Sequence, residues 1–341
     1  MKILYHVEDV RNTTTNQFLY RNFADGFEAL GHTVQPISFA DDFAAKLKAE
    51  QPDVFITSSF KTYFAHTDFK ALNSARASGL NVVVWVEPLP GFSYGIYGLH
   101  TEPGKIEKIK AGEWGDAYIS CLDDARFDAA FLEATGAHHH AMPLAANPKL
   151  HFPENLPRTY DVAYVGNRLP RKEHTFQSVL FPLKKTRRVA IKGYNWSTLD
   201  RVINKFNRVA RARRLPLPEI RTPNVITLDE ERRLYSSTKA CLNFHEDAQI
   251  TLGMDVNERT FKVPACGGFE ISDNPKAVRK YYAEDEMATV ESEAEWAKTI
   301  DYYLADDALR ERMQKKATER TLREHIYPKR CEKLLGLVAK K

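Results

Sequence analysis

Two periodicities take turns along the first 150 residues. Short apolar runs at Lys2–Val7, Thr33–Ser38, Val54–Ser58, Val82–Val86 and Ala117–Cys121 predict strands. Between them, apolar side chains recur at helical spacing. In Asn16–Leu30 these are Phe18, Leu19, Phe23, Phe27 and Leu30, and Gly31 follows where a left-handed residue closes a helix. Asp42–Glu50, Phe69–Ser78 and Asp124–Thr135 repeat that spacing. Strands alternating with helices predict βαβ units and a parallel sheet covered on both faces. Pro143, Pro148, Pro153 and Pro157 then break the rhythm, which predicts an interdomain linker.

The rhythm restarts beyond the linker. Tyr160–Val165 and Arg188–Lys192 predict strands ending in Gly166 and Gly193. Leu199–Arg214 predicts an amphipathic helix, with Val202, Ile203, Phe206 and Val209 expected inward and Arg201, Lys205 and Arg208 outward. Asp229–Ser236 reads as helix, Ala240–Phe244 as strand, Asn257–Cys266 as helix and Phe269–Ser272 as strand. The tail, through Glu293–Leu304, Asp307–His325 and Lys329–Val338, reads as helical. The expected division is 1–150 and 151–320, two Rossmann-like domains, with 321–341 a C-terminal helix.

Composition narrows the classes. The chain has 341 residues, 43% hydrophobic and 28% charged, which is ordinary for a globular protein. Its longest apolar run, Leu80–Val86, is too short to cross a bilayer. Four separated cysteines with no Cys-x-x-Cys argue against a disulfide scaffold or structural zinc module, so a reduced, cytoplasmic setting is expected. Residues 1–155 hold 13 basic and 19 acidic side chains, and residues 156–341 hold 36 and 26. A net of −6 joined to a net of +10 suits an anionic ligand on the second half, or a solvated basic face.

The segment richest in candidate chemistry runs from Leu242-Asn-Phe-His-Glu-Asp247 through Gly253 to Asp273. Asn257 can cap a helix whose free N–H groups would suit a diphosphate, while Glu258 offers an acceptor for hydroxyls. Arg259 offers a fork donor for phosphate, and Gly267-Gly268 permits close backbone approach. Thr260 lies on the same first turn. Gly166, Asn167 and Arg168, with Arg171 and Lys172 beyond, end one strand, and Lys192-Gly193 end the next. Both fall at the edge where open parallel sheets bind ligands. His245 ends a third strand and can donate to phosphate or sugar. A plain surface turn or a purely structural capped helix would give the same patterns.

Asn257, Arg259, Phe261, Pro264, Ala265, Cys266, Gly267 and Phe269 resemble the signature of the glycosyltransferase family related to the spore maturation protein CgeB. Asp161–Arg168, Ala141–Pro148 and Tyr302–Arg310 extend the resemblance over about residues 141–330. It implies a GT-B fold, two Rossmann-like domains with parallel sheets facing a central cleft, and a C-terminal helix crossing back. It also implies metal-independent transfer of a sugar from a nucleotide-diphosphate sugar, most simply a UDP-sugar, to a hydroxyl of a glycan, surface polymer or protein-linked sugar. Where the family has Glu after the Phe, this chain has Lys262, and the glutamate pair of related retaining enzymes would fall at Met254 and Lys262. Stereochemistry therefore stays open, and Lys262 could meet a donor phosphate or mark a non-catalytic binding module.

Candidates for an acceptor-side base are Glu8, Asp9, Glu87 and His6, all at predicted strand ends, with capping or solvated roles as the plain alternative. Arg11–Asn16 and the glycine-rich Gly91–Gly98 could form acceptor loops. A second acceptor reading is DNA carrying a hydroxymethylated pyrimidine, as for a phage-encoded enzyme in its host's cytoplasm. Arg201, Lys205, Arg208 and Arg211 would then hold phosphates. His138-His-His140 is not expected to bind metal, because adjacent residues of an extended segment point alternately.

Overall fold

The computed structural model describes residues 1–9, 15–86, 104–213 and 215–339 (side chains of 15–18 excepted). The chain divides into two compact units, Met1–Asn147 with His325–Lys341, and Pro148–Glu324. The division falls three residues before the expected end of the first domain, and the C-terminal segment starts at His325 rather than 321.

In the first unit, β1 (Lys2–Val7), β2 (Thr33–Ser38), β3 (Val54–Ser58), β4 (Asn81–Trp85), β5 (Ala117–Ser120) and β6 (His139–Ala141) form a parallel sheet in the order β2-β1-β3-β4-β5-β6. The short β6 falls on the histidine triplet, too brief to show a period. The Thr15–Ala29 helix packs Phe23 and Phe27 on the sheet. The Tyr327–Val338 helix completes the same core with Tyr327, Cys331, Leu334 and Val338. Gly26 permits that contact, since a Cβ there would lie 2.8 Å from Cys331 Sγ. Ala146 and Ile326 pair as a parallel bridge, and Arg330 Nε donates to the Pro143 carbonyl at 2.8 Å.

The second unit holds β7 (Tyr160–Val165), β8 (Val189–Lys192), β9 (Thr238–Asn243), β10 (Glu270–Ser272) and β11 (Ala288–Thr289), in the order β11-β10-β9-β7-β8, all parallel. Because β8 and β9 lie on opposite sides of β7, strand order reverses between β7 and β9, the crevice where open α/β sheets bind ligands. A helical stretch from Pro170 to Leu183, whose winding changes every three to five residues, and the short Asp247–Leu252 helix follow β7 and β9, and neither was expected from the pattern.

The Thr198–Ala212 helix corrects one expectation. It buries Asp200, Asn207 and Ala210, while Val202, Phe206 and Val209 are exposed. Ser197 and Asp200 form a capping box, and Asp200 also accepts from Asn224 Nδ2, which anchors the polar side inward. No helix among the described residues is long and apolar enough to cross a membrane.

Candidate functional site

The β7–β9 reversal gathers charge from distant parts of the chain. The Arg259 guanidinium reaches across it, donating from NH1 to the Val165 carbonyl at 2.8 Å and from NH2 to the Phe244 carbonyl at 3.1 Å. Lys172 Nζ donates to that same Phe244 carbonyl at 2.6 Å. Two cations thus share one acceptor, and among the described residues neither forms an ion pair with a carboxylate. Burial and the neighbouring Arg259 pull the Lys172 ammonium down to about 7.

Asn243, at the end of β9, holds this arrangement from below. Its Oδ1 accepts from Arg259 Nε at 3.0 Å and Asn257 Nδ2 at 2.7 Å, and its Nδ2 donates to Thr260 Oγ1 and Glu270 Oε1. An arginine can only donate, so the amide orientation is determined. Glu270 is buried, its Oε2 lacks a partner, and burial raises its carboxyl to about 8. Lys172 was named from the sequence with Arg171 beyond the β7 turn, whereas Asn243 and Glu270 fell inside the Leu242–Asp273 segment without being singled out.

The glycines at this edge are required by close approach. A Cβ on Gly193, which has φ +128°, would stand 2.2 Å from the Gly166 carbonyl oxygen. One on Gly166 would meet Arg259 NH1 at 2.7 Å. Asn167 Oδ1 accepts from Tyr194 N–H, joining the loops after β7 and β8, with Lys192 half-buried at the end of β8.

Residues 171–336 match the family described as glycosyl transferase-like. Among solved structures, an alpha-glucosyltransferase in complex with UDP aligns over all of both chains at TM-score 0.69 and 13% identity. Sucrose-phosphate synthase from Thermosynechococcus elongatus aligns over 99% of this chain and 98% of its own, at TM-score 0.64 and 14% identity. The Anabaena HepE protein in complex with UDP and glucose aligns over all of both chains at TM-score 0.64 and 10% identity. The chain has the GT-B fold, and its second unit is similar to the glycosyl transferase-like family. At these identities the solved structures testify to the fold. Comparison with curated protein sequences finds no match.

Several residues named from the sequence are engaged within the protein. His245 was expected to donate to a ligand, yet both ring nitrogens are engaged internally. Asn257 N–H donates to Nε2 at 3.3 Å, which leaves Nδ1–H to donate to Asp273 at 2.9 Å. Burial lowers its pKa and keeps it neutral, despite Asp273. The expected free helix N-terminus is also spent. The helix runs only from Arg259 to Ala265, Asn257 Oδ1 accepts from Arg259 N–H at 3.0 Å, and the Asn257 and Glu258 carbonyls accept from Thr260 and Phe261. Arg168 is held in a two-pronged pair with Glu173 and lies over the Phe181 ring.

Lys262 Nζ pairs with Glu258 at 2.8 Å, one turn back. Burial opposes the Lys262 charge, but Glu231 and Glu258 outweigh it and raise the pKa. Gly267 packs against Pro153 and Gly268 against Val263, at the far end of the helix from Arg259, so both serve packing. Arg201, Lys205, Arg208 and Arg211 are exposed, and Arg211 pairs with Glu219 at 3.1 Å.

In the first unit, strand order reverses between β1 and β3. His6 lies there but is enclosed by Phe39, Phe43, Phe55 and Tyr63, with Nδ1 on Thr57 Oγ1 at 2.9 Å. Burial lowers its pKa to about 3, so it is a core residue and no general base. Glu8 and Asp9 are half-buried just past the strand, whereas Glu87, Gly91–Gly98 and most of Arg11–Asn16 lie outside the described residues. His139 is likewise committed, bonded to Asp128 at 2.6 Å and Ser120 at 2.8 Å. Among the described residues no three His, Cys, Asp or Glu side chains gather as a metal site. A groove of about 560 Å³ between the Phe43–Glu50 and Phe69–Ala77 helices opens beside Asp53 and Leu80, at the amino ends of β3 and β4, the edge away from the ligand crevice.

Proposed function

We propose that the protein is a glycosyltransferase that takes a UDP-sugar and transfers its sugar to a hydroxyl of a glycan, surface polymer or protein-linked sugar, in the cytoplasm and without a metal. The observation that carries this reading is the Arg259–Lys172 pair sharing the Phe244 carbonyl, a half-buried and a buried cation that pair with no carboxylate among the described residues. Like charges so placed repel, and a diphosphate seated on both relieves the repulsion. As the sugar–phosphate bond breaks, the same pair stabilises the charge growing on the departing diphosphate. Three of the five Arg259 N–H donors are used on Val165, Phe244 and Asn243, so the group stays aimed while the others meet phosphate. Glu258, steadied by Lys262, is placed to accept from ribose or sugar hydroxyls. Glu8, Asp9 and Glu87 stay candidates for the acceptor base. The matches from Asn257 to Phe269 support the further proposal that the chain belongs to the CgeB-related branch.

A second reading takes modified DNA as acceptor. It draws on exposed Arg201, Lys205 and Arg208, and on the alpha-glucosyltransferase solved with UDP and a 13-mer DNA containing an HMU base (TM-score 0.64, 12% identity, all of both chains).

Thermal stabilisation across UDP, GDP, ADP, CMP and TDP and their sugars tests the donor. Ligand at 100 times Kd contributes about 2.7 kcal/mol. A selective UDP shift, lost in Arg259→Ala whose fold is verified by circular dichroism, is expected. No shift with any nucleotide overturns the reading. Binding without hydrolysis or transfer, to either glycan or hydroxymethylated duplex, would make the chain a binding module instead.

A further inference from the structure

The Thr198–Ala212 helix carries a surface that neither its own core nor the candidate site uses. Leu199 is 56% exposed, Val202 60%, Phe206 43% and Val209 39%. At about 100° per residue these four fall within one arc of roughly 80°. Arg201, Lys205 and Arg208, all exposed, fall in the adjoining arc of roughly 60°. The next segment folds back along the helix, with Asn207 Nδ2 donating to the Ile220 carbonyl at 2.8 Å and Ile220 N–H donating to Asn207 Oδ1 at 3.1 Å. Leu215, Leu217 and Ile220 in that segment are each 45–50% exposed.

Single exposed apolar side chains are ordinary, but a row of four along one face of a helix marks a surface that something covers. We propose that this face docks on an anionic lipid bilayer, the helix lying in the plane of the interface. The charge is complementary. Residues 198–213 carry five basic side chains and one acidic, and that one, Asp200, is buried and hydrogen-bonded. With the apolar arc sunk among acyl chains, Arg201, Lys205 and Arg208 lie at headgroup level. A nucleic-acid backbone would use the basic arc and leave Val202 and Phe206 in water. A second copy related by a two-fold axis would set the three cations against themselves. This surface is independent of what the Arg259 site holds.

The test uses the full chain and sedimentation with vesicles of phosphatidylcholine alone or with about 30% phosphatidylglycerol. Partition into the anionic vesicles is expected to exceed that into neutral ones by about tenfold or more, and to fall with salt. Val202→Ser with Phe206→Ser should weaken it by about tenfold or more while melting and UDP binding stay unchanged. Replacing Arg201, Lys205 and Arg208 by Gln should abolish the preference for anionic lipid. The proposal is overturned by no partition into either vesicle. It is equally overturned by partition that the Val202/Phe206 double variant leaves intact, which would be charge-only binding of the kind duplex DNA gives. A dimer in light scattering that this variant dissolves, without vesicle binding, would assign the face to a second copy and also overturn it.

Discussion

Replacing Lys172 by methionine keeps the buried aliphatic stem and removes the ammonium that donates to Phe244. An ordinary lysine ionises near 10.5, whereas this one is lowered to about 7 by burial and Arg259, with Arg171 adding to the effect and Asp273 and Glu246 opposing it. A diphosphate on the pair would favour the charged form and return the pKa towards its ordinary value. Binding then takes up a proton above pH 7, and affinity must fall as pH rises. With a pKa of about 7 free and 10.5 bound, affinity drops about 100-fold between pH 6 and 9, equivalent to about 2.7 kcal/mol. Isothermal titration with a UDP-sugar, whose esterified diphosphate does not titrate in that window, measures it directly. Lys172→Met should bind more weakly at pH 6 and show a flat profile. A wild-type profile that changes less than about threefold, or a slope that persists in the variant, would refute the placement of a diphosphate on Lys172.

Two further substitutions probe the frame beneath that pair. Glu270 is raised to about 8 from an ordinary 4.5, so the folded state holds a proton that the unfolded chain releases at lower pH. Its contribution to stability is whole below pH 4.5 and is lost as pH rises towards 8, at up to about 1.4 kcal/mol per pH unit. Glu270→Gln should cancel roughly 2–3 kcal/mol of that loss between pH 5.5 and 7.5 in urea titrations, and parallel curves would discard the idea. Gly193→Ala combines a left-handed φ of +128° with a Cβ 2.2 Å from the Gly166 oxygen. It should cost about 2–4 kcal/mol and weaken nucleotide binding by moving Gly166 against Arg259, and a cost under about 1 kcal/mol would show that the loops relax freely.

Much of the fold was legible in the chain because its signals are local. Apolar runs and helical spacing marked most strands and long helices within a few residues, and their alternation implied parallel sheets. Arg259 was legible as a candidate phosphate donor from its residue type and its setting after β9, and the structure places it at the β7–β9 reversal. Elements under about six residues, such as β6 and the helical pieces between Pro170 and Leu183, contain too few positions to show a period.

What only the tertiary structure decided is partnership across distance. Lys172 meets the Phe244 carbonyl 72 residues away, and Arg259 meets Val165 across 94. His6 and His245 look like catalytic histidines at strand ends until the rings and carbonyl neighbours around them are known. Likewise, the Thr198–Ala212 pattern established that an apolar face exists, but not that Asp200, Asn207 and Ala210 would turn inward instead. Periodicity is a property of one segment, whereas burial depends on what packs against it. A capping box, with Asp200 and Asn207 bonded to the segment that follows, was enough to turn the polar side of that helix to the core and leave its apolar side facing out.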